Sequence, residues 1–210
     1  MVSASELRAR ARQQLGGNIF ATKWLYVLLA GLIVSAIVSF SGFIPVAPLL
    51  LVGPLSVGMS AICLRQVRDN AQPVNIAECF YGFTGDRLSR SMVTGLLVNI
   101  FTALWSLLFV IPGIVKSYSY SMAYFISLDR PELSATQCID ESKRIMNGNK
   151  MRLFCLDLSF IGWYIVGAIC FGVGTLWVDA YHSMARANFY DELCKSFVIV
   201  DSAPSGTPEV

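Results

Sequence analysis

Charge is what this chain has least of. Asp, Glu, Lys and Arg make up only 14% of its 210 residues, against about 25% in a typical soluble domain. Hydrophobic residues make up 55%, and the mean hydropathy is +0.58. A surface so short of charge is not solvated by water alone, so lipid is the expected solvent. Histidine is nearly absent, His182 being the only one. The six cysteines are scattered and contain no C-x-x-C pair, which argues against zinc binding and against a disulfide framework. They read as small buried hydrophobes. No Gly-rich phosphate loop, carboxylate dyad or nucleic-acid signature occurs, so no cofactor, metal or nucleic-acid partner is expected. Nor is a secretory leader expected. The first apolar run follows an amphipathic stretch and extends for about 20 residues, enough to span a bilayer.

What is present is a threefold recurrence. Ser3-x-x-Glu6, Asn75-x-x-Glu78 and Ser134-x-x-Gln137 each read as a capping box opening a short amphipathic helix. Gly17-Asn18, Gly85-Asp86 and Gly148-Asn149 read as the breaks that end those helices. Two apolar stretches follow each break, and the second carries a small-residue string around Met59, Met122 or Met184, spaced 63 and 62 positions apart. The order of these devices predicts one unit used three times, over residues 1–69, 70–130 and 131–195. A Pro- and Gly-containing tail from Ser196 to Val210 reads as disordered.

The apolar stretches predict six spans: Trp24 to Phe40, Ala47 to Leu64, Met92 to Ile111, Pro112-Gly113 to Leu128, Leu153 to Gly172 and Leu176 to Leu193. The fourth and sixth are weak by hydropathy and rest on their alignment with the second. Basic residues fall before the first span, between the second and third, between the fourth and fifth, and after the sixth. That asymmetry predicts a multi-pass membrane protein with both termini cytoplasmic. The three amphipathic helices then lie on the inner face, packed mainly against the span that follows each.

Ionisable side chains inside spans are costly and become site candidates by default. Here they are Lys116, Asp157, Asp179, His182 and Arg186. Counting residues from the span ends sets Lys116 and Asp179 near the outer surface. It sets Asp157 about 8 Å inside the inner one, at a rise of ~1.5 Å per residue, with Arg186 at similar depth. Two ion pairs are predicted, Lys116 with Asp179 and Asp157 with Arg186. Asp157 and Arg186 read as a structural pair. Lys116, Asp179, His182, Tyr118 and Tyr120 form a candidate polar intramembrane site. Asp179 and His182 share a helix face, but no nucleophile accompanies them at a specific spacing, so no catalytic residue is assigned. The Ser117–Ser121 run is read either as close helix packing with hydroxyls bonded back to the helix, or as the lining of a polar cavity rimmed by Tyr118, Tyr120 and Tyr124. Trp24, Tyr26, Trp163, Trp177, Tyr181 and Tyr190 read as interface anchors.

The segment from Leu104 to Trp163, with its PGI-x-K-x-YSYSMA, G-x-K and LSFIGW elements, resembles the bacterial membrane proteins catalogued as domain of unknown function 975. The resemblance extends from about Leu7 to Leu193. It implies a bacterial multi-span membrane protein and supplies no activity. Pro112, Gly113, Lys116, Tyr118 and Tyr120 belong to the pattern. The expected fold is an all-α membrane bundle of three hairpins, each preceded by a cytoplasmic amphipathic helix. The leading functional expectation is a non-enzymatic accessory, scaffold or partner-binding module that contacts membrane lipids and a protein partner at its cytoplasmic face. The alternative is a small transporter or lipid-handling protein with a polar intramembrane site. An intramembrane enzyme ranks third.

Overall fold

The computed structural model describes residues 3–17, 21–41, 47–71, 73–85, 87–108, 110–169 and 173–202, and among these it is entirely helical. Helix α1 spans Ala4–Gln14, α2 Thr22–Ser41 and α3 Ala47–Arg68. A 3₁₀ helix, Ile76–Phe83, precedes α4, Arg87–Leu108. Then come α5 (Val110–Tyr120), α6 (Ala123–Asp129), α7 (Ala135–Met146), α8 (Lys150–Ile169) and α9 (Val173–Ser202). Among the described residues four stretches are long and apolar enough to cross a membrane: Thr22–Phe40, Leu50–Arg68, Arg87–Leu107 and Lys150–Ile169, with mean hydropathies of 2.0, 1.5, 1.2 and 1.5.

The long helices pair as α2 with α3, α4 with α5, and α8 with α9. In each pair the first helix faces outward. Only 17%, 17% and 22% of the apolar windows of α2, α4 and α8 are buried, against 61% for α3. Leu32, Leu104, Leu107, Ile165 and Ile169 stand exposed on the outward helices. The second helices form the interior. Helix α9 contacts α1, α2, α3 and α8, and buries Ala180, Met184, Ala185, Phe189 and Leu193. A helix enclosed by protein need not match lipid. That is why α9 and the α5–α6 stretch fall short of membrane-span hydropathy.

Close approach inside the bundle uses absent side chains. A Cβ on Gly53 would meet the Ser91 carbonyl of α4, and one on Gly58 would meet the Cys79 carbonyl of the 3₁₀ helix. Helix α5 begins two residues before Pro112, so Pro112 sits in a first helical turn rather than in the turn between spans. Its missing N–H costs nothing there. The α5–α6 stretch is interrupted at Ser121-Met122. Ser119 Oγ bonds back to the Val115 carbonyl at 3.0 Å, and the Ser119 carbonyl accepts from Ser142 Oγ of α7 at 2.8 Å. Side-chain bonding thus competes with the helical ladder next to the break.

The short amphipathic segments do not pack as their order suggests. Helix α1 lies against α9 and α8, the 3₁₀ helix against α3, and α7 against α4, α5 and α6. Each covers the hairpin before it, with α1 reaching the last, rather than the span that follows it. The apolar stripes decide this: Leu7, Ala11 and Leu15 of α1, and Cys138, Ile139, Ile145 and Met146 of α7, are buried in protein. Of the three predicted capping boxes only Ser134–Gln137 forms in full. Ser3 Oγ accepts from the Glu6 amide, but the Glu6 carboxylate turns to Arg10 at 2.8 Å. Asn75 bonds Ala77, and Glu78 pairs with Arg65. The breaks do share one geometry. Gly17, Gly85 and Gly148 have φ of 78°, 52° and 77°, a region in which only glycine is unstrained. Asn18 and Asp86 lie outside the described residues.

The end of the bundle that carries most basic residues is tied by ion pairs. Arg68 at the end of α3 binds Asp129 of α6 through both guanidinium nitrogens, at 2.8 and 2.6 Å, and lies 3.4 Å from Asp191 of α9. Arg152 pairs with Glu192 at 2.9 Å, and Arg130 with Glu141 at 3.2 Å. Two expectations are corrected at this level. Trp24 and Tyr190 are buried, not interfacial, because the Trp24 indole donates to the Trp177 carbonyl and the Tyr190 hydroxyl to Asp129. Helix α9 continues to Ser202 instead of ending at 195. Phe197 packs on the core there, with the Arg144 guanidinium 5.3 Å above its ring. Residues 203–210 lie outside the described residues.

Candidate functional site

The ionisable residues of α8 and α9 form one hydrogen-bonded chain. Asp157 and Tyr164 lie seven residues apart on α8, and Asp179, His182 and Arg186 recur on one face of α9, so helical spacing aligns the two rows. Tyr164 Oη donates to Asp179 Oδ1 at 2.6 Å and stands 3.4 Å from His182 Nδ1. His182 Nε2 lies 2.7 Å from Asp157 Oδ1. A carboxylate at that distance makes Nε2 the protonated nitrogen and leaves Nδ1 to accept. Arg186 Nη2 lies 2.7 Å from Asp157 Oδ2, the pairing that residue counting predicts. The Phe160 ring, 4.9 Å from that of His182, shields the chain on one side. The Tyr118 hydroxyl of α5 faces the Asp157 carboxylate as well.

Two cavities flank this chain. One, of about 490 Å³, lies between α4, α5 and α9; its polar lining is Thr102, Ser106, Ser117, Tyr118 and Arg186, with Tyr120, Ser121 and Tyr124 completing the aromatic and hydroxyl wall. This is the cavity form of the Ser/Tyr run. The other, of about 240 Å³, lies between α2, α3 and α9 and is lined by Asp179, His182 and Ser183 against Ser35 and apolar side chains. The polar chain therefore has Asp179 and His182 on one cavity and Arg186 on the other.

Lys116 does not join it. Its ammonium lies 4.6 Å from the centre of the Trp105 ring, and no ion pair with Asp179 forms. Both residues sit on inner helices, but α5 faces α4 while Asp179 faces α8, where Tyr164 takes it. Equal depth did not mean equal azimuth. Tyr120 is buried against Phe101 at 6.1 Å and lines the larger cavity from its edge. Of the five residues assigned to a polar site, the structure brings together Asp179 and His182, sets Tyr118 beside Asp157 at the other end of the chain, and separates Lys116. Sequence reasoning missed Tyr164, although its heptad spacing from Asp157 was a usable signal. No group of three metal-ligating side chains converges among the described residues.

Comparison with known proteins adds a family. The model of a family described as protein of unknown function (DUF975) matches residues 1–116 and 107–196. The chain belongs to that family. No curated protein and no solved structure matches it. Both hydrogen-bonded rows, Asp157–Tyr164 and Asp179–Arg186, fall within the second matched stretch of this DUF975 member.

Proposed function

We propose that this chain is a multi-pass protein of a bacterial inner membrane that crosses six times, as three units of cytoplasmic amphipathic segment plus hairpin closed around a pseudo-threefold axis, with both termini cytoplasmic. Support for the closure comes from α1 packing on the third hairpin while the 3₁₀ helix and α7 pack on the first and second. A membrane-impermeant maleimide tests the topology. Single cysteines at Ser3 and Lys195, in a chain otherwise free of cysteine, are expected to label from the cytoplasmic side only. Labelling of the two from opposite sides removes the six-span reading.

Within that frame the chain works as a small transporter or lipid-handling protein, without enzymatic chemistry, and its site is the larger cavity together with the α8–α9 polar chain. One observation carries this reading: a cavity of about 490 Å³ opens on Arg186 and a row of hydroxyls, at a level that the six-span reading sets within the membrane. Ionisable groups at that depth are expensive unless used. The scaffold reading ranks second. Two cavities of about 370 and 330 Å³ flank the Arg68–Asp129 pair at the basic end and favour it. Against it, the apolar stripes of α1 and α7 are already covered and Arg65, Arg68, Arg130, Arg144 and Arg152 are paired within the chain. A thermal-shift screen of solutes and lipid headgroups on purified protein separates the two. Ligand stabilisation is expected to vanish in Arg186→Gln and to persist in Arg12→Ala and Lys143→Ala. The reverse pattern moves the working surface to the cytoplasmic face.

A further inference from the structure

We infer that the larger cavity takes a tetrahedral oxyanion, held by Arg186, and that a proton taken up by His182 draws Asp157 away from Arg186 and frees it to hold the anion. This rests on the site reading above and names its ligand and its coupling. The donor set is the first argument. Among the described residues, every polar side chain lining the cavity bears a hydroxyl or is Arg186, and no carboxylate residue lines it. The hydroxyls of Thr102, Ser106 and Ser117 make no hydrogen bond within the described residues, which leaves them free to donate. A guanidinium with several hydroxyl donors matches an oxyanion, whereas a cation would find no counter-charge.

The second argument is what holds Arg186 back. It lines the cavity yet spends its charge on Asp157, through contacts of 2.7 and 3.4 Å. A positive charge on His182 competes for Asp157 and releases Arg186, and a route for the proton exists. A proton taken up by Asp179 from the smaller cavity is given to the Tyr164 oxygen as Tyr164 gives its own to His182 Nδ1. His182 keeps its Nε2 proton, directed at Asp157 Oδ1, and becomes an imidazolium paired with that carboxylate. One proton has moved from solvent to His182, and Tyr164 and Asp179 regain their starting forms. The groups facing His182 are Asp157 and Tyr164 from α8, Asp179 and Arg186 from its own helix, and Tyr118 beyond Asp157 from α5. The α2 and α3 side chains lining the cavity beside it are apolar apart from Ser35. From α1, Arg8 reaches only the Ser159 carbonyl at 3.5 Å.

His182 is the only histidine, so ¹⁵N-histidine labelling reads this one residue. We would titrate the full chain in nanodiscs with inorganic sulfate, which keeps its charge between pH 5 and 9, and compare phosphatidylglycerol with phosphatidylcholine discs. Binding and protonation are reciprocal if coupled. Sulfate is expected to move the pH midpoint of the His182 nitrogen shifts upward, and its affinity is expected to rise several-fold per pH unit on acidification. Asp157→Asn should bind sulfate at least tenfold more tightly at neutral pH, with no pH dependence, while Arg186→Gln should not bind it. An effect of phosphatidylglycerol without one of sulfate assigns the oxyanion to a lipid headgroup. Sulfate binding at one affinity across pH overturns the coupling and leaves the cavity reading intact. No oxyanion binding in any form, Asp157→Asn included, overturns both. The wild-type pH series needs no variant, so it decides the coupling even if Asp157→Asn does not fold.

Discussion

At Gly58 a single hydrogen atom in place of a side chain lets α3 meet the Cys79 carbonyl of the 3₁₀ helix. Gly58→Ala forces one of the two backbones away, and overpacking of this kind costs about 1–3 kcal/mol. Gly162 on α8 has nothing within 4 Å of its would-be Cβ. There alanine replaces a poor helix former and should stabilise by about 0.5–1 kcal/mol. Thermal unfolding of the two variants in detergent is expected to move in opposite directions; a matching shift would mean that the α3 contact is looser than described. Lys116 makes a different point at the same scale. Its nearest partner is the Trp105 ring and not Asp179, so the double exchange Lys116→Asp with Asp179→Lys should rescue nothing that either single change loses. Recovery of stability in the double variant would show the pair to exist.

Among the elements, α7 is the one whose local chemistry is complete. Its capping box forms in both directions, so Ser134→Ala should cost about 1 kcal/mol. Ser3→Ala should cost less, because Glu6 already answers to Arg10. Hydrogen exchange of the first-turn amides in each helix measures the difference. Helix α7 is also tied to the end of α6 through Glu141, whose carboxyl is held below its usual range by the hydrogen bond from Arg144, with Arg130 adding to it. A depressed carboxylate contributes stability that is present above its unfolded-state value, near pH 4.5, and is lost as pH falls through its lower folded-state value. Protection of α7 should therefore drop below about pH 4.5 in the wild type and be flatter with pH in Glu141→Gln. Equal pH profiles would remove Glu141 from the account.

On the scale of the whole molecule, α1 closes the bundle by covering the last hairpin and not its own neighbour. Leu15 is fully buried there, and truncating such a side chain costs about 2–5 kcal/mol. Leu15→Ala should loosen α9 before α2. Hydrogen exchange resolved by peptide tests this, and faster exchange confined to α2 would mean that α1 serves the span after it. The same arrangement explains the hydropathy record. The outward helices α2, α4 and α8 are strongly apolar and little buried, while α9, packed among its neighbours, carries Asp179, His182, Arg186 and Asp191.

The sequence alone was enough to establish the helical class, the family, the glycine breaks and the Asp157–Arg186 pairing. Each of these depends on quantities that a linear count contains: composition, a left-handed backbone position, and depth along a helix. It could not establish azimuth. Which face of α5 meets which face of α4 or α9 depends on how hairpins pack against one another, and that separated Lys116 from Asp179 while bringing Tyr164 between Asp179 and His182. It could not establish the partner of each amphipathic segment either, because an apolar stripe specifies that it will be buried and not against what. The tertiary structure made both choices, by close packing of glycine faces and by matching charges at the basic end, and in doing so placed a polar chain between two cavities.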